Sequence, residues 1–536
     1  MTVPAHITLS GAPEGFDARL LARELAKGAP VVHVARDDKR MEAMRAALAF
    51  LAPEALVLAF PAWDCLPYDR VSPNADVSAT RMATLAALAH GLPQPFVLLT
   101  TLNAATQRLP AREVLRGAAF TARVGQRLDE ASLRAFLVRM GFTQSPTVTE
   151  PGDYAVRGGI IDIFPPGEGG PVRLDLFGDV LDGARRFDPA TQRTTEKLAA
   201  VELAPVSEVI LDEAAITRFR QSYRIEFGAA GTDDPLYEAV SAGRKHAGME
   251  HWLPFFHERL ETLFDHLPGA AVMLDDQITP ARLARWEGIE DQYDTRAEAM
   301  KRKDRLDSVY KPCPPGLLYL DDAAWEAAVA GHRVIRLVAL PQATGPGVLD
   351  AGGRIGRNFS AERQLENVNL FSALADHVNA RRADGQVVIA SYSEGARERL
   401  KGLLEDEDLH GATPVRDIRA VPEGKGGVFL AVWALEHGFE GPGLTVVSEQ
   451  DVLGERLIRG AKKRRKAENF LTEAQSLSPG DLVVHVDHGV GRYTGLETIT
   501  ALGAPHDCVA LEYAGGDRLY LPVENIELLS RYGHEE

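Results

Sequence analysis

Residues 153–177 read D-Y-A-V-R-G-G-I-I-D-I-F-P-P-G-E-G-G-P-V-R-L-D-L-F. Two runs joined by a Pro/Gly turn predict a pair of strands, because strand side chains point alternately to two faces. In the second run Val172, Leu174 and Leu176 are expected to face a core, leaving Arg173, Asp175 and Phe177 on the opposite face. An aromatic ring among charges has two readings. If the second face is covered as well, Phe177 is ordinary core. If it is open, the face is a docking patch, since Arg and aromatic side chains are the usual anchors of protein interfaces.

The V-R-G-G strand and the R-L-D-L-F strand, with the F-P turn between them, resemble the repair-adaptor surface shared by UvrB and the transcription-repair coupling factors of the Mfd family, which docks on UvrA. The resemblance implies that Arg157, Arg173 and Phe177 contact UvrA.

At 536 residues the chain is expected to hold several domains, since single cores seldom grow past about 250 to 300 residues. Apolar content of 45% and charged content of 25% match an ordinary soluble protein, and no stretch approaches the roughly 20 apolar residues of a membrane span. The start, M-T-V-P-A-H-I-T-L-S-G, shows no basic segment, apolar core and cleavage site, so a cytoplasmic location is expected. Cys65, Cys313 and Cys508 are far apart, which predicts reduced thiols rather than a disulfide framework or a cysteine zinc site. A net charge of −17 argues against a surface that grips nucleic acid throughout, because such binding needs Lys and Arg to neutralise phosphates. Protein partners fit better. The exception is R-L-I-R-G-A-K-K-R-R-K at 456–466, read as a solvated basic linker helix, with a contact to DNA or an acidic partner as the alternative.

Residues 1–118 alternate strand-like runs (H-I-T-L-S-G, V-V-H-V-A, A-L-V-L-A-F, F-V-L-L-T-T) with helical stretches at 16–27 and 39–51, the pattern of a parallel α/β sheet. In the second stretch Met41, Met44, Leu48 and Leu51 recur at helical spacing. A phosphate-binding loop would follow the first strand and present backbone N–H groups, a Lys and a Ser/Thr for magnesium. Here the turn is G-A-P-E-G-F-D-A at 11–18. Gly11 and Gly15 remain, but the Lys and Ser/Thr are missing, and Glu14 and Asp17 would repel a triphosphate. We read this as a degenerate nucleotide loop. It agrees with the resemblance, since Mfd proteins carry a UvrB-like module with a decayed ATP site. The W-D-x-L-P-Y-D-x-x-S-P pattern at 63–73 also resembles that family rather than UvrB, whose long aromatic hairpin clamps DNA. Trp63 and Tyr68 are read as packing residues of a loop.

The β-rich segment at 119–204 is expected to be a domain inserted into the first, which resumes at 205–340. His246, His251, His257 and His266 lack paired ligand spacing, and no metal is expected there. A small α/β unit at 350–450 has a strand at G-Q-V-V-I-A-S, an N-cap at Ser393 and a following helix. It resembles the small third domain of Mfd, and its residues point to no ligand. A linker at 451–474 precedes residues 475–536, where short strands with Gly-rich turns predict a small β-barrel of SH3/Tudor type. The H-x-D-H of His485, Asp487 and His488 has no further ligand at suitable spacing, so no metal is expected. H-G-V-G at 488–491 and L-Y-L-P-V-E-N at 519–525 resemble the RNA-polymerase-interacting domain of Mfd and CarD-type factors. That domain binds the polymerase β subunit by strand addition. The matching positions are Ile499 and Tyr520.

The fold class expected is thus α/β multidomain: a UvrB-like degenerate nucleotide-binding domain with an inserted UvrA-binding domain, a small α/β domain and a C-terminal barrel. The chain holds no G-x-x-x-x-G-K-[ST], so catalytic residues and cofactors are expected to be none. By the resemblance, ATP, magnesium and most DNA contact belong to the motor domains of the full-length family, which this N-terminal half lacks. The implied function is an adaptor, expected as a monomer, that binds RNA polymerase stalled at lesions and recruits UvrA for nucleotide excision repair. A UvrB-like, nucleotide-driven damage-verification subunit is the alternative. A CarD-like regulator with unrelated N-terminal domains would explain only the last segment.

Overall fold

The computed structural model describes residues 6–531 except 93–94, 168, 229–233, 302–309, 366–367, 455–479, 481, 486–487, 502–503, 514–515 and 523–528. The described residues fall into two compact units. One comprises the chain to residue 63 and from 74 to 454; the other joins 64–73 to the described residues from 480 onward. The basic run at 456–466 lies outside the described residues.

The first unit is built on a seven-stranded, all-parallel sheet in the order Val348–Asp350, His6–Ser10, Arg333–Val338, Ala271–Leu274, Val31–Ala35, Phe96–Thr101, Leu56–Phe60. Its strands come from both sides of a long excursion in sequence. Val31–Ala35, Phe96–Thr101 and Ala271–Leu274 are buried at every residue, which fits continuous apolar runs covered on both faces. Alternate residues go to opposite layers. Val31, Leu99, Met273 and Ile335 share a core with helices Phe16–Leu25 and Asp38–Leu51 through Phe16, Leu21, Met44 and Leu48. Val32, Leu98, Val272 and Val334 share another with helix Ala75–His90 through Met82 and Leu85. Met41 and Leu51 pack at the margin of the first core. Helix Asp38–Leu51 starts where the Asp37 side chain accepts the Arg40 N–H, a standard N-cap.

The excursion begins and ends on strands Phe120–Arg123 and Ala200–Leu203, which pair with each other. Between them lies a six-stranded sheet in the order Thr194–Leu198, Val180–Phe187, Val172–Phe177, Ile160–Ile163, Asp153–Arg157, Thr143–Gln144. Only its last pair is parallel. Helix Glu130–Arg139 covers one face, placing Leu133, Phe136 and Leu137 in one core with Ile161, Ile163, Val172 and Leu174.

A second α/β layer follows, with strands in the order Arg354–Ile355, Phe439–Gly441, Leu444–Ser448, Gln386–Ser391, Val428–Val432, Thr413–Val415. The last four are parallel and the first two antiparallel. Helix Glu394–Glu405 opens at Ser393, whose hydroxyl accepts the Ala396 N–H. Helices Leu370–Arg382 and Glu394–Glu405 cover one face through Leu374, Val378, Leu400 and Leu404. The other face joins the core of the seven-stranded sheet through Val388, Ala431, Trp433, Phe439 and Val446. The two sheets thus share one apolar layer.

The second unit holds a five-stranded antiparallel sheet in the order Arg518–Pro522, Ala504–Glu512, Gly489–Ala501, Leu482–His485, Leu529–Arg531. Val483, Tyr493, Val509, Leu511 and Leu521 form its core. The end strands of this sheet, among the described residues, are Arg518–Pro522 and Leu529–Arg531.

Helix Glu213–Phe227 is capped by Asp212, and a long helix begins at Ile278 and is described to Lys301.

Candidate functional site

On the inserted sheet, register decides which side chains meet. Arg157 pairs with Ile160, and Ile160 with Asp175. Directly opposed residues share a face, so Arg157, Ile160 and Asp175 lie on the side away from helix Glu130–Arg139, and Phe177, two residues on from Asp175, joins them. The turn that brings these strands together needs Gly158 and Gly159. Gly158 has φ +61°, and a Cβ on Gly159 would lie 2.6 Å from the Leu176 carbonyl oxygen. Backbone contact is that close because the Leu176 N–H donates to the Gly159 carbonyl at 2.7 Å. A bulge between Asp175 and Leu176 skips Asp182 on the neighbouring strand, and bulges increase local twist. Phe177 then pairs with Val180 across a two-residue turn. Its side chain is 83% exposed, which excludes the core reading.

Arg173 sits on the same face but is not free. Its Nε and Nη2 donate to the two carboxylate oxygens of Asp162 at 2.7 and 2.9 Å, and its guanidinium lies 4.8 Å from the centre of the Phe187 ring. The Arg173 side chain is 19% exposed and Asp162 is buried. The hydrogen bonds to Asp162 hold the guanidinium charged more firmly than usual. Arg157 is exposed, with Nη2 donating to the Pro146 carbonyl at 2.9 Å. Ile160, 39% exposed, belongs to the face and was not among the expected contacts. The alternation of I-I-D-I places it there as plainly as it places Asp162.

In the second unit Ile499 pairs with His506 in the hairpin of Gly489–Ala501 with Ala504–Glu512. Leu482–His485 pairs only with the first residues of that long strand, up to Arg492. Among the described residues, no strand borders its outer edge from Leu496 to Ala501. Tyr520 pairs with Ala510, is half-buried, and takes a side-chain hydrogen bond with Arg518. The rings of His485 and His488 lie 4.6 Å apart, while Asp487 is outside the described residues. No group of three His, Cys, Asp or Glu suited to a metal occurs among the described residues. The histidines after 240 disperse into local contacts: His257 to the Glu208 carbonyl, His266 to that of Pro110, and His251 edge-on to Trp63. Trp63 is a packing residue, its indole N–H donating to Glu208, which also binds the buried Arg81. Tyr68 is buried, with φ 61°.

The turn at 11–18 does not fit a nucleotide. Gly15 (φ 85°) precedes helix Phe16–Leu25, where a phosphate would take the helix N–H groups. The Asp17 carboxylate takes them instead, accepting from Gly15 N at 3.0 Å and Ala18 N at 2.8 Å. Its other oxygen accepts from Arg40 Nη2 at 2.6 Å. Burial pushes Asp17 up to about 6 against the pull of that guanidinium. Asp275, just after strand Ala271–Leu274, accepts from Arg40 Nε and Nη2 and from the Arg36 N–H. Burial would raise it too, but Arg40 holds it below the usual carboxylate range. Phe439 meets Phe16 at 5.8 Å between ring centres, and a Cβ on Gly15 would lie 3.0 Å from the Phe439 ring. The turn is thus occupied from within the chain, its N–H groups by Asp17 and its glycine by the Phe439 ring.

The folds define a multidomain α/β protein that carries an inserted, mostly antiparallel sheet and a separate C-terminal antiparallel sheet. Residues 120–208 match the UvrB interaction domain, and residues 477–533 match the CarD-like/TRCF RID domain. Over nearly its full length the chain is homologous to the N-terminal half of transcription-repair-coupling factors. It is 33% identical to the transcription-repair-coupling factor of Escherichia coli (strain K12) and 34% identical to that of Myxococcus xanthus, with 98% of the chain and 45% of each relative covered. Identity to the Bacillus subtilis (strain 168) protein is 24%, over 98% of the chain and 44% of the relative. The chain therefore spans less than half the length of these relatives. No helix among the described residues is long and apolar enough to cross a membrane.

Proposed function

We propose that this chain is a monomeric, cytoplasmic adaptor that links RNA polymerase stalled at DNA lesions to nucleotide excision repair, holding UvrA with the inserted sheet and the polymerase β subunit with the C-terminal sheet. The observation that carries the first half is Phe177, an aromatic ring exposed at a hairpin tip beside Ile160 and Arg157. Such a ring costs solvation when bare and is a strong anchor when covered. Arg173 serves the same surface, its bidentate bond to Asp162 holding two adjacent strands in register. For the polymerase, the unbordered strand edge around Ile499 supports recognition by strand addition; Tyr520, on the strand beyond Ala504–Glu512, is assigned to the same partner, and the sheet closes into an SH3/Tudor-like barrel. The adaptor works without ATP, and DNA contact falls to other parts of the full-length family. The UvrB-like alternative requires a nucleotide, which the loop at Asp17 and Phe439 opposes.

Calorimetry against purified UvrA tests the reading. Phe177→Ala is expected to weaken binding roughly 30-fold or more, the loss of about 2 kcal/mol typical of an interface anchor, with melting unchanged. Equal affinity of parent and Phe177→Ala would remove this face as the UvrA site.

A further inference from the structure

Arg40 joins two strand ends that are not neighbours. Asp17 follows the turn after strand His6–Ser10, Asp275 follows Ala271–Leu274, and Arg333–Val338 lies between those strands in the sheet. In a working P-loop site a hydroxyl after the glycine turn and a carboxylate at a further strand end hold a magnesium ion between them, while a lysine before the hydroxyl reaches the phosphates. Phe16 and Asp17 stand in those Lys and Ser/Thr positions, directly after Gly15 at the helix start. The guanidinium thus lies between the two groups that would share the metal, 2.6 Å from Asp17 and 3.1 Å from Asp275, with Glu14 at 3.7 Å. All three of Asp17, Arg40 and Asp275 are buried. The rest of the space is filled from the second α/β layer. Phe439 and Leu435 border Gly15, and a Cβ on either Gly353 or Gly441 would overlap the Phe16 ring. Lys39, beside Arg40, pairs with Glu436, beside Leu435, at 2.7 Å.

We propose that Arg40 is the built-in cation of this decayed site, standing where a divalent metal would bridge the two strand ends, and that the small α/β layer stands where the nucleotide would, locking the seven-stranded domain in one nucleotide-independent state. A metal and nucleotide exchange with solvent; a guanidinium and a phenylalanine of the same chain do not. The switch of an ATP-driven domain becomes a fixed joint between two sheets.

The test exploits the vacancy that Arg40→Ala would leave among three carboxylates. This variant is expected to melt on the order of 5–10 °C below the parent, because unpaired buried carboxylates are strongly destabilising. Millimolar Mn2+ is expected to restore roughly 3 °C of that loss, while leaving the parent and Arg40→Ala/Asp275→Asn unmoved. If Arg40→Ala answers Mn2+ no more than the parent does, the cation-surrogate reading is overturned. If Arg40→Ala does not fold, Arg40→Lys decides. A folded, near-parental melt for this charge-keeping variant supports the proposal, and failure equal to alanine overturns it.

Discussion

Phe16 and Phe177 both adjoin a glycine turn, and near each an aspartate is bound to an arginine, yet one ring is sealed and the other bare. Phe16 follows Gly15 beside the Asp17–Arg40 pair and is fully buried; Phe177 precedes Gly178 on the face that carries the Asp162–Arg173 pair and is 83% exposed. The difference lies in what covers them. Phe16 is closed over by Phe439, Gly353 and Gly441 of the same chain, whereas the face around Phe177 has a helix only on its other side. Similar residues are thus packed from within the chain in one place and left bare in the other.

Substitutions at Phe439, Arg173 and Phe177 test that contrast. The largest effect is expected at the sealed site: Phe439→Ala should lower unfolding free energy by about 4 kcal/mol, as for other fully buried phenylalanines, read by urea denaturation. A change under about 1 kcal/mol would show that the two sheets are not joined through this ring. On the open face, Arg173→Ala should cost about 3 kcal/mol by leaving Asp162 buried without its partner, whereas Phe177→Ala should leave stability within roughly 0.5 kcal/mol. Weakened UvrA binding by Arg173→Ala would therefore need a matched melt before being read as a lost contact. Equal stability of Arg173→Ala and the parent would mean that the Asp162 pair does not hold the strands.

Acid should act on the sealed interior. Burial lowers His33 and His266 from 6.5 to about 4, so the unfolded chain takes up their protons first, and the stability present above about 6.5 is lost as pH falls toward 4. Asp17 acts in the opposite sense: with its carboxyl raised to about 6, the folded chain takes up a proton there before the unfolded chain does, and stability is gained as pH falls from about 6 toward 4. Two histidines outweigh one aspartate, so a net loss on the order of 2 kcal/mol is expected between pH 7 and 5. A flat or rising profile in urea melts would place the control of acid stability outside this interior.

Much of this was legible in the chain. The alternation of V-R-L-D-L-F put Val172 and Leu174 inside and Phe177 opposite, because a strand has only two faces. Ser393 announced a helix start, because its hydroxyl can take an N–H that the helix leaves unpaired. The Lys and Ser/Thr that the P-loop pattern places after its last glycine are absent after Gly15, and that absence is plain from the residues alone. What could not be read was which face would be covered. Alternation is the same for a sheet buried on one side or on both, so the exposure of Phe177 awaited the packing of helix Glu130–Arg139. Arg173 reads as a free cation until register sets Asp162 opposite it. Arg40 reads as an ordinary helix surface residue until the sheet brings Asp17 and Asp275 to its two sides.

Strand faces, helix starts and the missing Lys and Ser/Thr of the loop at 11–18 are readable from the chain alone, because they depend on neighbours a few residues apart. Only the tertiary structure decided that Phe16 is sealed, Arg173 engaged and Phe177 left open, because each outcome depends on what segments distant in sequence place against that side chain.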